Sequence, residues 1–74
     1  MNQSTQTQNF SIEDFPLDAI VQMADEQWKV VKPLPTKDKV YLKPSNEVAR
    51  SRYVSIAHEF SIPYLNREAS AVVK

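Results

Sequence analysis

The sequence has no cysteine and no glycine, and a single histidine among its 74 residues. Without cysteine there is no disulfide. His58 alone cannot build a structural zinc site, which takes four Cys or His ligands. A chain this short buries only about 60% of the surface its unfolded form exposes. With both kinds of staple missing, its stability must come from one packed core, extended by a second copy or a partner where one is present. Without glycine, no Gly-rich loop can cradle a phosphate. Turns that need a positive φ fall to Asn or Asp, or give way to turns set by proline.

Long apolar runs are also missing, since a bilayer-spanning helix needs about 20 consecutive apolar residues. The stretch Met1–Asn9 has neither the basic nor the apolar segment of a secretory leader. A cytoplasmic protein with no membrane association is expected. Residues 1–9 are polar and uncharged, and are expected to form a disordered tail ahead of one small α+β domain at 10–74.

What is present is a polarised charge distribution. The net charge is zero, but residues 1–28 contain Glu13, Asp14, Asp18, Asp25 and Glu26 and no Lys or Arg, so all nine basic residues lie behind them. Such asymmetry marks either an interaction surface or two halves that neutralise each other when packed.

The five prolines punctuate the chain into expected elements. Pro16 suits the first position of a helix running to about Gln27, with Leu17, Ile20, Val21, Ala24 and Trp28 on one stripe. Phe10, Ile12 and Phe15 are placed to fold back over the core. Trp28–Leu34 and Val40–Lys43 are rich in β-branched and aromatic residues around a short polar link, which predicts a two-stranded antiparallel hairpin. Pro33 confines the first of these strands to an edge or cuts it short. Ser45 is the expected cap of a second helix reaching Phe60, with Ala49, Tyr53, Ile56, Ala57 and Phe60 at helical spacing. A third helix starts at Pro63, with Leu65, Ala69 and Val72 on one face. The expected architecture is α-β-β-α-α, a hairpin packed on an amphipathic helix pair.

Each catalytic arrangement lacks a part. His58 shares a helical face with Ser51 and Ser55 but has no third group to orient it. The acidic pairs Glu13–Asp14 and Asp25–Glu26 are neighbours in sequence, and on a helix neighbours point apart. No catalytic, cofactor-binding or metal-binding residue is therefore assigned, and no enzyme is expected.

Binding remains. The expected partner-binding residues are Lys37, Lys39, Tyr41, Lys43, Arg50, Arg52, Tyr64 and Arg67. They are the cations and tyrosines expected to be exposed, the residue types that steer and anchor macromolecules. Trp28 and Tyr53 are expected in the core. The leading expectation is a small regulatory protein that binds a protein partner, such as a component of the transcription machinery, in the manner of an accessory or phage-type regulator. It would act as a monomer or homodimer. The alternative is a helix–turn–helix-like DNA-binding regulator. In it Arg50, Arg52 and Arg67 would meet phosphates, and Ser61, Tyr64 and Asn66 would meet base edges.

Overall fold

A computed structural model describes residues 9–74. The expected tail at 1–9 lies outside the described residues but for Asn9. The α-β-β-α-α architecture does not form. Five antiparallel strands make one sheet instead: β1 Ile20–Met23, β2 Glu26–Leu34, β3 Lys39–Pro44, β4 His58–Ser61 and β5 Ala71–Val73, in the order β4-β3-β2-β1-β5. Two short helices connect strands, α1 Glu47–Arg52 between β3 and β4, and α2 Ile62–Glu68 between β4 and β5. Single 3-10 turns lie at Ile12–Asp14 and Pro35–Lys37.

The expected first helix is replaced by β1. Leu17, which opened the helical stripe, is 63% exposed, whereas Ala19, Val21 and Met23 are buried in alternation. That is the period of a strand, and the β-branched Ile20 and Val21 suit it. A helix is also interrupted at two points, because Asp18 and Ala24 have φ of 71° and 55°. The loop Ala24–Asp25 then turns β1 directly into β2, with Met23 opposite Glu26.

The hairpin forms where expected and lies at the centre of the sheet. Pro33 sits beyond the reach of β1, which pairs with β2 only through Lys29, so it removes no hydrogen bond on that side. A bulge between Val30 and Lys32 restores the inward direction for Pro33, which lies opposite Val40. The link closes through Asp38, in the left-handed region at φ 54°.

The second helix is cut to one and a half turns. Its cap is Asn46 rather than Ser45: the Asn46 side chain accepts from the Ala49 N–H at 2.9 Å and donates to the Asp25 carbonyl at 3.0 Å. Tyr53 is already extended, at φ −134° and ψ 147°. The run Tyr53–Ala57 holds one serine, two β-branched residues and an aromatic, all weaker helix formers than alanine. His58–Ser61 then pairs with β3, placing Phe60 opposite Val40. The third helix does start near Pro63, capped by the Ser61 side chain, but it ends at Glu68. Ser70 donates its N–H to the Gln22 carbonyl, and Ala71–Val73 becomes a strand beside β1. The helix–turn–helix unit expected in the last third is therefore absent.

One cluster of buried residues forms the core, with Phe15, Val21, Trp28, Val30, Val40, Leu42 and Leu65 at or near zero exposure. The segment before β1 covers it as expected: the Phe10 ring meets Phe15 edge-on at 5.6 Å. Asn66 on α2 holds this cover by both ends of its amide. Its Oδ1 accepts from the Phe10 N–H at 2.6 Å and its Nδ2 donates to the Phe10 carbonyl at 3.1 Å.

Two predictions follow from this backbone. Ala24→Gly relieves a left-handed alanine, worth about 1–2 kcal/mol, against a glycine entropy cost of about 0.5–1 kcal/mol. Urea unfolding should show a net gain of about 0.5–1 kcal/mol, where an ordinary strand or turn position would show a loss. Asn66→Ala removes two part-buried hydrogen bonds and should lower stability by about 1–2 kcal/mol. In a domain of this size that lowers Tm by roughly 4–16 °C.

Candidate functional site

The inward face of β2 carries Glu26, Trp28 and Val30, and the indole of Trp28 lies at one end of the core. Three rings close on it: Phe60 at 5.1 Å, Tyr53 at 5.0 Å and His58 at 5.6 Å between centroids. Phe60 in turn meets Tyr64 at 5.8 Å. His58 and Phe60 meet the indole edge-to-face, at 88° and 70°, while Tyr53 on Trp28 and Tyr64 on Phe60 are tilted, at 58° and 45°. The rings come from four elements. Tyr53 ends α1, His58 and Phe60 lie on β4, and Tyr64 lies on the first turn of α2.

Between α2 and the sheet end these rings leave an open cleft of about 330 Å³, lined by Met23, Ala24, Glu26, Trp28, Tyr53, Phe60, Tyr64 and Glu68. Trp28 is buried as expected, but Tyr53 is 44% exposed and forms a wall of the cleft, and Tyr64 is 40% exposed opposite it. Val54 and Ile56, which continue the chain from Tyr53, are exposed as well.

The rim is charged. Glu26 accepts from the Trp28 Nε1 at 3.1 Å through one oxygen and from Arg52 at 3.0 Å through the other. Arg52 also forks onto both oxygens of Asp25, at 3.0 and 3.2 Å. Hydrogen bonding to Glu26, then to Asp25, raises the Arg52 pKa further above its ordinary value. The Arg52 hydrogen bonds hold the Asp25 carboxyl below the usual carboxylate range. Glu68 faces the cleft with no ion pair among the described residues. Arg67 lies over the Tyr64 ring at 5.8 Å.

The other expected residues lie elsewhere. Lys43 and Arg50 line a second, shallower hollow of about 380 Å³ with Lys29, Pro44, Ser45 and Ser55. Lys39 pairs with Glu59 at 3.6 Å. Tyr41 stands between Lys32 and Glu59 on the outward face of the sheet, and Lys37 lies on the 3-10 turn above it. The eight residues thus divide into two groups, one at the cleft (Arg52, Tyr64, Arg67) and one on the outward hairpin face. Asn66 is withdrawn from both, its amide being spent on Phe10. Glu26, Phe60 and Glu68 were missed. No local pattern marks them, because strand pairing brings them together.

His58 does not meet a serine. Its Nε2 lies 2.9 Å from the Val54 carbonyl, and Ser51 Oγ donates to the Val48 carbonyl. Among the described residues, no three His, Cys, Asp or Glu side chains gather as metal ligands, and no helix is long and apolar enough to cross a membrane. Comparison with protein-family models, curated proteins and solved structures finds no match.

The acidic groups give a testable pH dependence. Asp25 is lowered by Arg52, Asp14 by the Ser11 N–H and then Lys74, and Glu13 by the Ser11 hydroxyl. A carboxyl whose folded pKa is depressed contributes stability that is present above its unfolded pKa and lost as pH falls through the folded pKa. Stability should therefore fall as pH drops below the ordinary carboxylate range. In Arg52→Ala the Asp25 part of that fall should vanish. Urea midpoints of the two proteins should differ at neutral pH and converge in acid.

Proposed function

We propose that this is a small cytoplasmic regulatory protein without catalytic activity that works by binding a protein partner, and that the aromatic cleft takes a basic side chain of that partner. The observation that carries the reading is the pair Tyr53 and Tyr64, which remain well exposed on either side of the buried Trp28 and the half-buried Phe60. Exposed aromatic walls over a rigid aromatic floor are the make-up of an interface anchor site. A lysine or arginine fits the chemistry, laying its methylene stem along the rings and its cation over their faces. Glu68 stands at the rim to meet the charge. Arg52, committed to Asp25 and Glu26, stiffens the wall. Val54 and Ile56 extend the apolar surface beside it, as a protein partner requires and a small polar ligand does not. The His58 ring is engaged with the Val54 carbonyl, which agrees with a packing role for it.

The test is a tagged copy retained against nuclease-treated lysate beside two variants, Tyr53→Ala with Tyr64→Ala, and Glu68→Gln. The wild type should hold a specific protein, the tyrosine variant should lose it, and Glu68→Gln should weaken it by about 2–5-fold, the size of an exposed ion pair. Equal retention by all three, or recovery of nucleic acid alone, overturns the reading.

A further inference from the structure

The outward face of the β2–β3 hairpin carries a feature the cleft does not use. Lys29 and Lys43 stand directly opposite each other across the two strands. Like charges in that register destabilise a sheet. Asp18 offsets part of the repulsion through Lys29 at 3.5 Å, but Lys43 has no ion pair among the described residues. Arg50 adds a third cation to the same hollow, held there by donating Nη1 to the Ser45 carbonyl, and Ser45 and Ser55 line it with hydroxyl-bearing residues. Three cations and two serines around one concavity form a site for a phosphate group.

The cations continue beyond the hollow. Along β3, Lys39, Tyr41 and Lys43 share the outward face at the two-residue repeat of about 6.8 Å. Lys32 stands opposite Tyr41, and Lys37 lies on the turn at the far end. Lys32 and Lys37 are also free of ion pairs among the described residues. A row of cations with an aromatic ring inside it is the combination that binds single-stranded nucleic acid, the cations tracking phosphates and the ring stacking a base.

We propose that this face binds single-stranded nucleic acid, with one phosphate between Lys29, Lys43 and Arg50 and a base on Tyr41. A phosphorylated peptide would use the hollow alone and leave the row of lysines and Tyr41 idle. A duplex would offer Tyr41 no unstacked base. Net neutrality of the chain does not oppose the assignment: Asp18 and Glu59, the carboxylates beside the row, are each paired with one lysine, Lys29 and Lys39, which leaves Lys32, Lys37, Lys43 and Arg50 without an ion pair among the described residues.

The experiment is fluorescence anisotropy of the full chain with labelled DNA and RNA oligonucleotides of about 12 nucleotides. With about three phosphates engaged, affinity should weaken roughly 20-fold between about 50 and 200 mM salt. Lys43→Ala with Arg50→Ala should bind more weakly and reduce that salt effect to about sevenfold, the loss of one phosphate contact. Tyr41→Ala should lose about 5- to 100-fold, and Tyr41→Phe should restore most of it. Lys43 and Arg50 are exposed and Tyr41 is half-buried on the outward face, outside the core, so circular dichroism should show every variant folded. The cleft variant Tyr53→Ala with Tyr64→Ala should bind as the wild type does. No binding at low salt, binding unaffected by the hollow or Tyr41 substitutions, preference for duplex, or tighter binding of a phosphoserine peptide each overturns the proposal.

Discussion

The indole of Trp28 has to be shielded on all sides while its N–H keeps a polar partner, and much of the molecule is arranged around that double requirement. The N–H reaches Glu26, two residues back on the same face of β2. Glu26 is then a half-buried carboxylate in need of its own partner, and Arg52 at the end of α1 supplies it. To bring Arg52 there, α1 is anchored at its other end by Asn46 on the turn between β1 and β2. The shielding comes from Tyr53, His58 and Phe60, which demands that the chain leave α1 in extended form and return along β3. Hydrophobic burial, one hydrogen bond and one ion-pair network thus act on the same side chain. The cleft is the place where the shielding stops short.

The absence of glycine shapes the rest of the backbone. Among the described residues, three positions take left-handed conformations without it, at Asp18, Ala24 and Asp38. Aspartates tolerate that region because their side chains bond locally. Ala24 has no such means, and it sits at the tight turn that fixes the register of β1 against β2 and forms part of the cleft edge. Packing around Trp28 holds this strained turn in place.

How much of this could be read from the sequence differs from one element to the next. The hairpin was legible because Val30, Val31, Val40, Tyr41 and Leu42 flank a short turn-forming link. The cover was legible because Phe10, Ile12 and Phe15 precede the first element without belonging to it. The start of α2 was marked by Pro63. The first helix was misread because Leu17, Ile20, Val21, Ala24 and Trp28 satisfy a helical stripe while Ala19, Val21 and Met23 satisfy a strand equally well. Propensity did not decide between them; pairing with β2 and β5 did. The second helix failed for the same kind of reason, since its apolar spacing was helical but its residues from Tyr53 onward were not. Of the two candidate surfaces, the hairpin lysines and Arg50 were visible as exposed cations. The cleft was only half visible, because Glu26, Phe60 and Glu68 meet through tertiary pairing that leaves no trace in local spacing.

The Asn66 clamp on Phe10 spans 56 positions, and β1 finds its second neighbour in β5 at Val73. Both close very long loops, and the entropy of those closures is lost before either contact returns anything. The consequence is kinetic. A chain whose sheet is completed by its last strand belongs with the slow, non-local folders, forming in milliseconds to seconds rather than microseconds. Its β2–β3 hairpin needs no such closure and is the expected nucleus. In the native state the cover and β5, joined to the body mainly through these distant contacts, are expected to be the first unit to open, with the fastest amide exchange.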